Sequence, residues 1–227
     1  MEPVSPAHIL CGTVRSLQKH NLDIQRYSFS ANAYPGKTTP SKREQTAIHE
    51  AAHVVIATMI HRGIVQDVFI SDSAVDVKNV PFYDELNITI HGITGGVRFR
   101  KIQTTVYENG LIAYGGFFAE CENLFRCGVD LGPLLPQLRS QAAHDIDRFQ
   151  ELLVSEGLSE SEIHDIVINI GGTLKNYFDN GLWEATRVIA DALLVRGYLK
   201  GEDVLDLLPD SPEGAACENE AGSQGRE

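Results

Sequence analysis

At 227 residues the chain is long enough for one domain with a sizeable core plus tails. A hydrophobic content of 43% and a charged content of 22% are those of a globular protein, not of a disordered or fibrous one. A formal net charge of −12 argues against a general nucleic-acid binder, because phosphate binding draws on clustered Lys and Arg.

Four cysteines, Cys11, Cys121, Cys127 and Cys217, form no C-x-x-C pair, which fits a reducing cytosol. No secretory signal is visible at the N-terminus, and no apolar run approaches the ~20 residues a membrane helix needs. The expectation is a cytoplasmic protein without a membrane segment.

Residues 1–40 read as an N-terminal extension. Gly36-Lys37-Thr38 matches the tail of a phosphate-binding loop, but Ala31 replaces its first Gly and Pro40 blocks the helix that should follow, so ATP binding is not expected. Ser41 and Glu44 then form a capping-box pattern, S-x-x-E, opening a helix that runs to about His61 and stops before Gly63.

That helix carries His49-Glu50-Ala51-Ala52-His53, an H-E-x-x-H motif. Positions i and i+4 share a helix face, so His49 and His53 can aim ring nitrogens at one Zn²⁺, with Glu50 beside them as general base for a water. Helical spacing puts His53, Ile56 and Ile60 in one stripe with His49, pointing inward. A catalytic zinc site takes a third protein ligand.

Strand-like segments follow at 65–71, 87–91 and 96–100, with Gly92, Gly95 and Gly96 read as turns. They form a small antiparallel or mixed sheet inserted between helices. Residues 103–125 read as a long helix with Tyr107, Leu111, Tyr114, Phe118 and Leu124 in the core. Gly115 and Gly116 in its middle permit close helix packing. After a loop at 128–136, residues 137–155 read as one helix. Measured at 100° per residue, Leu138, Ala142, Phe149 and Leu152 lie within about 60° of Asp145, which places that carboxylate in an apolar stripe where it needs a cation or donors.

A fourth helix starts at Ser159 or Ser161 and reaches about Tyr177. A fifth spans 182–196, with Trp183, Val188, Ile189, Ala192 and Leu193 for the core. A turn at Lys200-Gly201-Glu202 leads to a short helix at 203–208. Glu202 and Asp206 in an E-x-x-x-D pattern read as a solvated face. Residues 209–227 read as an acidic, disordered tail.

Five residues are candidates for the third ligand: Asp145, Glu120, His144, His91 and Glu122. The apolar stripe favours Asp145. A buried Asp paired with an Arg or capping a helix is the competing structural role.

Four segments in order resemble the FtsH family of membrane-linked, ATP-dependent zinc metallopeptidases. HEAAHVVIA is similar to its HEAGHA-type zinc motif, and GGFFAECENLF (115–125) to its GGRAAEE-type helix. AAHDIDRFQ (142–150) resembles its GASNDLERAT-type segment, whose Asp is the third zinc ligand and falls here on Asp145. VIADALLVRGYLKGEDVLDLL (188–208) resembles the LIADALL-type family end. The resemblance covers residues 41–208. It implies an α+β, mostly helical, zincin-like metallopeptidase domain with a small β-sheet after the H-E-x-x-H helix, in which Zn²⁺ is held by His49, His53 and Asp145.

The family's ATPase module and transmembrane segment have no counterpart, Ala52 replaces a family Gly and His144 a family Asn. The expected activity is therefore ATP-independent hydrolysis of peptide bonds in unfolded or flexible polypeptides. Residues 97–99 are the candidate strand edge for aligning a peptide. The family's hexameric rings leave room for a homo-oligomer, and the missing motor for a separate ATPase or adaptor partner. The alternatives are a catalytically inactive relative that keeps the fold, with or without the metal, as an interaction module, and a helical scaffold with no metal at all.

Overall fold

The computed structural model describes residues 39–75 and 93–208. The N-terminal extension up to residue 38, the strand at 87–91 with His91 and Gly92, and the tail from 209 lie outside the described residues.

Helix α1 spans Lys42–Ile60. Ser41 caps it as its sequence requires: the Ser41 side chain accepts from the Glu44 backbone N–H, and Glu44 accepts from the Ser41 N–H. Every residue from Ala47 to Thr58 is buried, so the helix is enclosed all round and not along one stripe. It packs against α2 (Val106–Arg126), α6 (Trp183–Arg196) and two strands, β1 (Val65–Val75) and β2 (Ile93–Phe99). His49, Glu50 and His53 are therefore polar groups in the middle of a core helix, where each needs a partner.

The described sheet has three antiparallel strands in the order β2-β1-β3, with β3 at Tyr198–Lys200. Sequence reading missed β3, since three residues carry no measurable alternation. It also begins the last strand at Gly96 and reads Gly95 as the turn before it, whereas β2 starts earlier and holds both, opposite Ile70 and Phe69 of β1. Asp67 is nearly inaccessible and is neutralised by Arg98 across the ladder, Nε to Oδ2 at 3.0 Å.

The remaining helices are α3 (Leu135–Gln141), α4 (Ala143–Ser155), α5 (Glu160–Tyr177), α6 and α7 (Gly201–Leu207), with a kink at Asn180 and Gly181 (φ 107°) between α5 and α6. The single helix expected at 137–155 is broken. Ala142 takes φ −86° and ψ 8°, and α4 restarts from it without a side-chain cap. Val188, expected in the core, is exposed on α6, whose inner face is Trp183, Thr186, Ile189, Ala190 and Leu193.

Glycines set the close approaches to α2. A Cβ on Gly115 would stand 2.3 Å from Ile56 Cδ1 of α1, and one on Gly110 would stand 2.3 Å from Ile170 Cδ1 of α5. Gly172 of α5 differs: it is exposed, helical, and has nothing within 4 Å of its Cβ position. Gly172→Ala should stabilise the fold by about 0.5–1 kcal/mol through reduced unfolded-state entropy. That is a rise in Tm of roughly 1–4 °C, and a fall on thermal melting would contradict it.

Candidate metal centre

Three side chains converge from two helices. One helical turn on α1 separates His49 from His53, and Asp145 enters from the first turn of α4. His49 Nε2 lies 2.9 Å from His53 Nε2 and 3.3 Å from Asp145 Oδ2, and His53 Nε2 lies 3.5 Å from the same oxygen. Among the described residues these three form a group whose atoms could hold a metal ion.

The far side of each ring fixes its tautomer. His49 Nδ1 is 2.6 Å from Glu120 Oε1, and His53 Nδ1 is 2.7 Å from the Ile112 carbonyl, both on α2. A carboxylate and a carbonyl only accept, so both Nδ1 atoms carry the proton. In the neutral rings both Nε2 atoms then present lone pairs to each other and to the Asp145 carboxylate. Three acceptors facing inward within 3.5 Å repel unless a cation sits among them. Tetrahedral zinc bonds of 2.0–2.2 Å give ligand edges of ~3.3–3.6 Å, which both distances to Asp145 meet and the 2.9 Å between the rings falls short of.

A proton on His49 could play that part in the absence of an ion. Burial works against a charged His49 ring, but the hydrogen bonds to Asp145 and Glu120 outweigh it and hold the ring well above the usual histidine range. Burial likewise opposes ionisation of Asp145, yet the two imidazoles hold its carboxyl well below the carboxylate range. Burial pushes Glu50 up, against the opposing pull of His49 and His53. A carboxylate with raised basicity beside such a cluster is suited to accept a proton.

The other candidates for third ligand fall elsewhere. Glu120 reaches the outer nitrogen of His49, as an orienting partner. Glu122 is wholly buried and paired with Arg126, whose guanidinium lies 4.8 Å from the centroid of the Trp183 ring. His144 is exposed. Asp145 itself sits at the margin of the buried face of α4 and not at its centre: Ile146, Phe149, Gln150 and Leu153 are inside, while its own side chain is 35% exposed.

Sequence reading missed three contributors: the Ile112 carbonyl, Gly116 and Gly95. A Cβ on Gly116 would stand 2.6 Å from His49 Nε2, so α2 lays bare backbone against the ring. Gly116 and Glu120 are four apart, on one face of α2, and that spacing was the available signal. Glu120→Gln keeps the shape but removes the charge behind His49. It should weaken zinc affinity 10–100-fold in chelator competition, whereas wild-type affinity would rule out the orienting role.

Neither a protein-family model nor a curated protein matches the chain. Among the described residues no helix is long and apolar enough to cross a membrane.

Proposed function

We propose that the chain is a zinc-dependent, ATP-independent endopeptidase with a zincin-like, FtsH-type site. The observation that carries this reading is the inward-facing set of three acceptors, His49 Nε2, His53 Nε2 and Asp145 Oδ2, with Glu50 on the same helix turn. His49, His53 and Asp145 would hold the ion, which when bound supplies Lewis-acid polarisation of a carbonyl and acidifies water.

The chain's own residues do the rest. Glu50 takes the proton of the attacking water and returns it to the leaving amine. Glu120 and the Ile112 carbonyl keep both rings in the tautomer that leaves Nε2 free. β2 pairs only with β1 among the described strands, so its second edge can align an extended polypeptide by backbone hydrogen bonds. On this reading the substrates are unfolded or flexible segments, which can lie extended along that edge.

Elemental analysis of the purified protein, followed by a casein-cleavage assay with and without a chelator, tests the reading. Equimolar zinc and chelator-sensitive cleavage are expected. Zinc without cleavage would favour the inactive interaction module, and no metal at all would overturn the peptidase.

A further inference from the structure

β2 crosses α1 at the point where the H-E-x-x-H glutamate leaves the helix. A Cβ on Gly95 would stand 2.7 Å from Glu50 Cγ, 2.7 Å from Glu50 Oε1 and 2.8 Å from Thr46 Cγ2. Thr46 and Glu50 are four residues apart, so together they form the ridge of α1 that β2 lies on. The hydroxyls of Thr46 and Thr94 add a hydrogen bond along this seam, Oγ1 to Oγ1 at 3.4 Å.

No positive φ asks for glycine at position 95. The residue is paired with Ile70 at the last regular position before the register shifts between Ile70 and Val75. Inside a strand glycine is less favourable than alanine by about 0.5–1 kcal/mol, and it often marks a site where something approaches the backbone closely. Here the approaching group is the Glu50 carboxylate.

We propose that Gly95 is a positioning residue for Glu50: the bare strand backbone is the wall that sets where the carboxylate stands. This rests on reading Glu50 as the base. A methyl at 95 meets Glu50 at Cγ as well as Oε1 and meets the Thr46 methyl, so Glu50 must leave its working position and Thr46 must give way with it. Gly116 gives the contrast. The group against it is the His49 ring, which is held at its outer nitrogen by Glu120 and has no such freedom. The two glycines therefore control different halves of the site, the base and the ligand.

The experiment compares Gly95→Ala, Gly116→Ala, Glu50→Gln and the Gly95→Ala/Glu50→Gln double variant in the full chain. The readouts are zinc affinity by chelator competition, casein kcat and KM, and the affinity of zinc-loaded protein for acetohydroxamate, a probe that gives a proton to a neighbouring carboxylate and needs no turnover. Gly95→Ala should keep zinc affinity and KM, lose about a hundredfold in kcat, as a displacement of ~1 Å can cost, and weaken acetohydroxamate as far as Glu50→Gln does. The double variant should be no worse than Glu50→Gln alone, since both act on one group. Gly116→Ala should weaken zinc instead.

Wild-type kcat and acetohydroxamate affinity in Gly95→Ala would overturn the proposal, as would a loss that adds in full to that of Glu50→Gln. Glu50→Gln leaving both readouts unchanged would mark a different failure, that of the base assignment, and the role of Gly95 would fall with it.

Discussion

Glu50→Gln is expected to leave zinc bound and to lower peptide hydrolysis by about a hundred- to ten-thousand-fold, the range a positioned general base supplies. Glu50 is not one of the three converging ligand atoms, so the amide should not disturb occupancy. Its side chain is buried between α1 and the Gly95 backbone, and glutamine fills the same space. Burial pushes the Glu50 carboxyl up, so the ionised form is held at a cost that a neutral amide does not carry. Thermal stability should accordingly be unchanged or higher. That separates a lost base from a lost fold. Wild-type cleavage in this variant would falsify the assignment of Glu50.

Asp145→Ala should remove the metal. The two histidines that remain are deep, but two imidazoles do not make the three-ligand shell of a catalytic zinc. The clearest readout is linkage. Zinc at a hundred times its Kd stabilises the native chain by about 2.7 kcal/mol, a rise in Tm of roughly 5–11 °C at 2–4 °C per kcal/mol. The wild type should show that rise on titration with zinc and the variant should not. Because the Asp145 side chain is about one-third exposed and sits at the edge of its helix, truncation opens no large cavity, and the metal-free variant should still fold. Full zinc occupancy after this change would refute Asp145 as a ligand.

What was readable in the sequence was what is decided locally. The Ser41 capping box sets where α1 begins, because it needs only residues three apart, and of the two starts open for α5 it is Ser159 that caps the helix. His49 and His53 meet because one helical turn joins them. Asp145 is a different case. Its periodicity argument assumed one unbroken helix, whereas the chain kinks at Ala142 and leaves Asp145 on the rim of the buried face. Leu138 and Ala142 are buried, as the stripe required, but on the far side of that break. Apolar period alone cannot report such a kink, since both segments keep their inner faces.

Beyond the grouping of Asp145 with His49 and His53, contacts across the fold were not readable. Glu120 stood among the ligand candidates because carboxylates near histidines are ligands as often as orienters. Only the position of α2 over α1 shows which nitrogen it reaches. Gly95 read as a turn because glycine pairs commonly are turns. Its close neighbour, Glu50, lies forty-five residues earlier in the chain, with β1 between them. Val188 failed for a related reason: a helix with apolar residues on several faces does not say which face its neighbours will cover.

The unequal burial of the three ligands has a consequence for how the site is filled. His49 and His53 are fixed in the core before any ion arrives, each with its outer nitrogen engaged by α2. Little ordering is left for them to undergo. Asp145 alone belongs to a separate helix and borders solvent. On the proposed reading an incoming ion would meet a finished floor and a carboxylate at the doorway. The same doorway would be the way out, so the lifetime of a bound metal would depend on α4, a helix that carries no part of the H-E-x-x-H motif.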